Sequence, residues 1–165
     1  MIRAILHADK NWGIGKSNSL MFSLPADMKF FRETTSGKTV LMGENTLLSF
    51  PGGKPLKNRE NIVLSFTMER EDCVIVRSLE EALEKIRAAN TDVYVIGGAS
   101  VYKQMLPYCE EVLVTKVYEE GDADAFFPNL DEDKNFKCVY ESEEINDNGH
   151  PIRFTTYRNL SPRSV

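Results

Sequence analysis

Six short apolar runs, most of them β-branched and unbroken by polar residues, constrain the fold more than any other feature of the chain: Ile2–Leu6, Thr39–Met42, Asn61–Leu64, Val74–Val76, Val93–Ile96 and Val112–Tyr118. A strand with one wet face alternates apolar and polar residues, whereas a continuous run suits a strand covered on both faces, as in a parallel sheet. Helix signals lie between the runs. Pro25–Thr34 opens with Pro at the first helical position, and Leu79–Ala88 follows Ser78 with Glu81 three residues on, the pattern of a capping box. The expected fold class is therefore α/β, with a mixed, mainly parallel central sheet flanked by helices. Phe136–Ser142 and Ile152–Tyr157 flank the turn-rich stretch Asn146–Pro151 and predict a C-terminal antiparallel hairpin at the sheet edge.

A chain of 165 residues is long enough for one sizeable core and short for two. Residues 1–160 are expected to form a single domain and 161–165 a loose tail. A net charge of −5 sets the bulk field against nucleic acid and anionic membrane, so any anionic ligand needs a local cluster of positive groups. Neither partner is expected. Cys73, Cys109 and Cys138 are odd in number, widely spaced and without CxxC pairs, which argues for free thiols rather than a disulfide framework or a metal site. The first residues hold too short an apolar run for a secretory signal, and nothing approaches the roughly 20 apolar residues of a membrane span. A cytoplasmic location is expected, and a monomer, because no apolar element is left over once the core is assigned.

The clearest local motif is Val93–Tyr102, a buried strand running into Gly97-Gly98 and then a short helix. Glycines there let backbone approach a ligand, and the free N–H groups of the helix end suit a phosphate; a plain strand-to-helix turn fits the same letters. Met42-Gly43-Glu44-Asn45-Thr46 offers a second such end, with the Thr46 hydroxyl. Gly15-Lys16-Ser17 invites a P-loop reading, but Lys10 stands where the first glycine must be and no helix follows, so an ATPase is excluded. Asp27 sits one turn into the Pro25 helix with Phe31 on the same face and Leu24 and Met28 nearby. Pattern alone leaves two roles open: a carboxylate among apolar groups that grips a basic heterocycle, or a solvated charge complementing the helix N-terminus. His7 and His150 lack ligand-spaced partners, and no Ser/His/Asp or Cys/His set can be assembled, so hydrolase and metalloenzyme readings lack parts.

Taken in order, these segments resemble dihydrofolate reductase along nearly the whole chain. The matching pieces are Asn11–Asn18 with Leu24–Phe31, Val40–Gly43 with Thr46, Pro55–Ile62, Val95–Gly98 with Tyr102, Thr115, and Asp124–Pro128. The resemblance implies hydride transfer from NADPH to 7,8-dihydrofolate, and a site that takes antifolate-type molecules. It makes Asp27, helped by Thr115, the catalytic carboxylate that holds the pterin. Ile5, Leu6, Phe22, Met28, Phe31, Leu56, Ile96 and Tyr102 become the substrate slot, and Arg59 meets the glutamate tail. On the cofactor side it places His7, Ile14, Gly15, Asn18 and Leu20, and the Asn11–Phe22 loop, with Leu20 near its tip, closes over the nicotinamide and excludes water. Asn45, Thr46 and Ser65 take the adenosine side, Gly97 and Gly98 with the helix of Ala99, Ser100, Val101 and Tyr102 take the pyrophosphate, and Gly43, Leu64 and Arg77 are further cofactor residues, Arg77 as a positive contact near the 2′-phosphate.

Two departures from the family pattern matter. Many members carry Trp where this chain has Phe22, which removes a ring N–H from the pterin side. The position after Gly43 is usually an Arg that meets the 2′-phosphate of NADPH, and here it is Glu44, with Phe66 and Ser100 at two neighbouring positions. A carboxylate beside a dianionic phosphate is repulsive, so a weakened NADPH preference, with NADH used comparably, is one expectation; a Glu44 turned to solvent is the other. A pyrimidine reductase of riboflavin synthesis, on the same fold, is the runner-up enzyme, and a silent dinucleotide-binding protein is the alternative from another class.

Overall fold

In a computed structural model, which describes residues 1–17 and 19–165, each of the six apolar runs becomes a strand with ends within two residues of those predicted. In chain order the elements are β1 (Ile2–Ala8), β2 (Gly13–Gly15), α1 (Pro25–Thr35), β3 (Thr39–Gly43), α2 (Glu44–Ser49), β4 (Glu60–Leu64) and β5 (Val74–Val76). Then come α3 (Leu79–Ala88), β6 (Val93–Gly97), α4 (Ala99–Met105), β7 (Glu111–Val117), β8 (Ala125–Phe126), β9 (Phe136–Glu141), β10 (Ile145–Asp147) and β11 (His150–Asn159). The capping box at α3 forms as read, with the Ser78 side chain accepting from the Glu81 amide.

The main sheet has nine strands in the order β10-β11-β7-β1-β6-β3-β4-β5, with β9 also paired to β11. From β7 to β5 every pairing is parallel, and β11 runs antiparallel to β7. Val40, Leu41, Val63 and Val95 at its centre are fully buried, as strands covered on both faces require. The expected mixed α/β class therefore holds. One detail differs: the tight hairpin joins β10 to β11 through Asn148-Gly149, both at positive φ, while β9 pairs with the far half of β11. An Asn-Gly pair is the residue choice a two-residue turn demands, and it outranks the longer apolar run as the register signal. The two-stranded sheet of β2 and β8 was absent from the sequence reading, because its strands are too short to show periodicity. The last five residues, expected to trail, make contacts: the Arg163 amide donates to the Pro107 carbonyl and Val165 packs against the core.

Candidate functional site

Parallel strands put their carboxyl ends along one edge of the sheet, and in open α/β sheets the crevice outside that edge is where ligands bind. Gly43, Leu64, Val76 and Gly97 close β3, β4, β5 and β6 there, and His7 stands one residue before the end of β1. The predicted residues divide between two neighbouring stretches of this edge, a carboxylate-bearing slot and a glycine-lined cradle.

The slot begins with α1. Its N-cap residue, Leu24, supplies no side-chain hydrogen bond. Asp147 of β10 does so instead, its two oxygens accepting from the Ala26 and Asp27 amides at 3.0 Å each. A carboxylate at a helix N-terminus meets both the free N–H groups and the positive end of the helix dipole. This contact fixes the turn that carries Asp27, whose side chain is 13% exposed and so does not face open solvent. Its Oδ1 accepts from the Thr115 hydroxyl at 2.6 Å, and its Oδ2 lies 3.4 Å from His7 Nδ1. Thr115 and His7 are register partners on β7 and β1, which puts both on one face of the sheet opposite α1. His7, expected on the cofactor side, thus sets its imidazole against the carboxylate.

Ile5, Phe31, Leu56 and Ile96 belong to one apolar cluster beside this carboxylate's strand and helix. Leu6 does not join them. Side chains alternate along a strand, so Leu6 points to the opposite face and packs in the cluster of Trp12, Val114 and Phe127, which removes its side chain from the proposed slot. Phe22 packs with Leu24 and Ile152 and stands 6.1 Å from the His7 ring, Met28 is half exposed, and the buried Tyr102 hydroxyl donates to the Ile5 carbonyl at 2.8 Å. Burial pushes that phenol far above its ordinary range. Arg59 projects from the loop before β4. Asn61 shapes the loop, its side chain accepting from the Leu56 amide and donating to the Leu56 and Arg59 carbonyls. The Arg59 Nε is buried with no partner among the described residues; burial, then repulsion from Arg32, holds the guanidinium below the usual arginine range. Two cations near enough to repel, with no ion-pair partner for either among the described residues, suit an anion.

The cradle lies where β3 and β6 end side by side. Gly97 has φ +129, a backbone that side chains rarely adopt, and a Cβ there would sit 3.2 Å from the Thr46 hydroxyl. A Cβ at Gly43 would sit 3.1 Å from Val101. Any larger residue would fill the gap between the two strand ends. Gly98 caps α4, which starts at Ala99; Ser100 and Asn45 are exposed. On the outer side, Ser65 is buried, its hydroxyl donates to Glu44 Oε2 at 3.2 Å, and Arg77 donates to the Ser65 carbonyl at 3.0 Å. Glu44 is therefore turned into this corner by a hydrogen bond, not left to solvent. Leu20 is exposed, Ile14 packs on the core, and the Gly15 carbonyl accepts from the Asp124 amide. Asn18 lies outside the described residues.

Sequence reasoning missed three buried polar residues that build this edge: Asp147 and Asn61, and Asp9, which accepts from the Asn11, Gly13 and Gly121 amides. Asp147 and Gly121 lie more than a hundred residues from their partners, and no local pattern announces such a bond.

A largely buried carboxylate beside apolar side chains, with glycines keeping a gap open at the carboxyl edge of a parallel sheet, marks an α/β protein of the kind that binds ligands along that edge. The chain belongs to the dihydrofolate reductase family, whose model matches residues 1–159. It is 37% identical over 156 residues to the dihydrofolate reductase of Bacillus subtilis, covering 93% of this chain and 90% of the relative. With the dihydrofolate reductase of Haemophilus influenzae it shares 41% over 118 residues, 71% of this chain and 72% of the other. Among solved structures, the dihydrofolate reductase from Enterococcus faecalis complexed with NADP(H) and RAB-propyl superposes with a TM-score of 0.86 at 30% identity, each chain covered to 96%.

Proposed function

We propose that the chain reduces 7,8-dihydrofolate to 5,6,7,8-tetrahydrofolate with NADPH, in one-carbon metabolism, using the Asp27 slot for the pterin. The observation that carries this assignment of the slot is the largely buried Asp27 carboxylate held by the Thr115 hydroxyl. A carboxylate with two oxygens on one side matches the paired N–H donors of a 2-amino-4-oxo pterin, at its 2-amino group and N3. Its negative charge favours a proton on the ring at N5, delivered through water, and so polarises the C6–N5 bond. Ile5, Phe31, Leu56 and Ile96 give the rings an apolar seat, and the unpartnered Arg59 beside Arg32 takes the α-carboxylate of the glutamate tail.

The residues of the cradle fit the nucleotide: the gap kept open by Gly43 and Gly97 admits a pyrophosphate against backbone, with Gly98, Thr46 and the start of α4 around it. When bound, the reduced nicotinamide supplies the hydride that goes to C6. The chain's part is to hold the two ligands in register and to exclude water beneath the segment 11–22. The absence of any helix among the described residues long and apolar enough to cross a membrane, and the three free cysteines, support a cytoplasmic protein, here read as a monomer that needs no second copy to complete the slot.

The test is dihydrofolate-dependent loss of the near-ultraviolet absorbance of NADPH. No such loss with the folded chain overturns the proposal. Cofactor choice is a separate expected result. Glu44, held by Ser65, faces the corner where Arg77 also points, and a carboxylate there opposes a 2′-phosphate. The ratio of kcat/KM for NADPH to that for NADH is accordingly expected to be small. Glu44→Arg, which exchanges repulsion for a charge-assisted bond, should raise it about tenfold to a hundredfold, roughly 1.4 to 2.8 kcal/mol. An unchanged ratio in the variant overturns that role for Glu44.

A further inference from the structure

Asp27 does not stand alone in its slot. The His7 side chain is 5% exposed and its Nδ1 lies 3.4 Å from Asp27 Oδ2, while Oδ1 is taken by Thr115. The other ring nitrogen, Nε2, is buried and has no hydrogen-bond partner among the described residues. An unsatisfied buried imidazole nitrogen is a net cost to folding, so packing alone gives no reason for a histidine here. Nor do the neighbours offer that nitrogen a partner. The Tyr102 hydroxyl of α4 is committed to the Ile5 carbonyl, the Thr115 hydroxyl of β7 to Asp27, and Phe22 presents an apolar ring. On the far side of Phe22, His150 is paired with Glu119. Asp27 of α1 is thus the charged group that His7 meets.

We infer that His7 is a specificity-determining residue: the recognition edge of a ligand in this slot meets a carboxylate–imidazole pair, and the pair selects against cationic heterocycles. The inference rests on the reductase reading, because it takes the slot to hold the pterin. A 2,4-diaminopyrimidine grips a carboxylate as a cation, through its protonated ring nitrogen and an amino group. An imidazolium already beside Asp27 is a like charge, and it competes for the same oxygen. The neutral 2-amino-4-oxo ring of a folate carries no such charge and escapes most of this repulsion. The discrimination depends on a charged imidazole, so binding is compared at about pH 5.5 and at about pH 8, either side of the range in which histidine side chains titrate.

The test compares dissociation constants of 2,4-diamino-5-benzylpyrimidine and of folate for the full chain and for His7→Gln at those two pH values. Expected is about tenfold tighter binding of the diaminopyrimidine by the variant at the acid pH, a difference within about twofold at the alkaline pH, and no matching gain for folate. A purely structural histidine moves both ligands alike and at both pH values, and that result overturns the inference. His7→Asn, with a shorter side chain, serves if His7→Gln does not fold, and the same outcomes decide. Failure of the unaltered chain to bind either ligand at either pH removes the reductase reading itself, a result distinct from binding without discrimination.

Discussion

Replacing Asp27 by Asn should lower kcat/KM for dihydrofolate at neutral pH by about two to four orders of magnitude while leaving the fold intact. The amide has the size of the carboxylate, so Thr115 keeps an oxygen to donate to and α1 keeps its anchor on Asp147. What disappears is the charge. An amide presents one acceptor and one donor group where the pterin edge presents two donors, so one of the two hydrogen bonds becomes a donor–donor clash in a largely buried site, and the field that favours protonation of N5 is gone. The loss should shrink as the pH falls, because solvent then supplies more substrate already protonated at N5. NADPH binding, measured without folate, should change little, since the cradle of Gly43, Gly97 and Thr46 is built from other elements. A variant that keeps more than a tenth of the activity at neutral pH removes Asp27 from the mechanism.

The strands were legible because Val40–Met42, Ile62–Val63 and Val93–Val95 are buried on both faces and show it as unbroken apolar runs. Asp27 was half legible. Helical spacing placed it on a face with Phe31, but what covers that face is Thr115, 88 residues along the chain, and a pattern within one helix does not contain it. Of the two alternatives left open by the sequence, tertiary contact speaks against the solvated charge and supports the proposed one. Gly97 shows the same limit: its letters permitted a turn or a cradle, and what supports the proposed cradle is the approach of Thr46 from α2, which local sequence does not contain. The Leu6 side chain falls outside the proposed slot for a different reason. The resemblance carries positions, not directions, and the alternation of β1 sends its side chain to the face opposite Ile5. For His7 the resemblance implied a place on the cofactor side, and nothing in the local sequence pointed to the carboxylate it meets across the slot.

Removing the Asp147 side chain should cost much stability, although it lies outside the proposed slot. Its side chain lies in β10 immediately before the Asn148-Gly149 turn, is 4% exposed as a residue, and accepts from the first free amides of α1. Asn148 reinforces the junction by donating to the Ser23 carbonyl. Asp147→Ala leaves two N–H groups of a helix start without partners and removes a charge from the positive end of the dipole. Each charge-assisted bond is worth about 1.5–3 kcal/mol, and water entering at the half-exposed Ala26 side returns part of it, so a net loss of about 2–4 kcal/mol is expected in denaturant unfolding. For a domain of this size that corresponds to a fall in Tm of roughly 5–15 °C. Asp147→Asn keeps an acceptor oxygen and should lose about half as much. The effect should also reach the proposed site selectively: with its first turn unanchored, α1 holds Asp27 less firmly against Thr115, so KM for dihydrofolate rises while KM for NADPH stays within about twofold. A stability loss under about 1 kcal/mol in Asp147→Ala, or an equal rise in both KM values, means that α1 is fixed by its apolar face alone and that the hairpin plays no part in positioning the carboxylate.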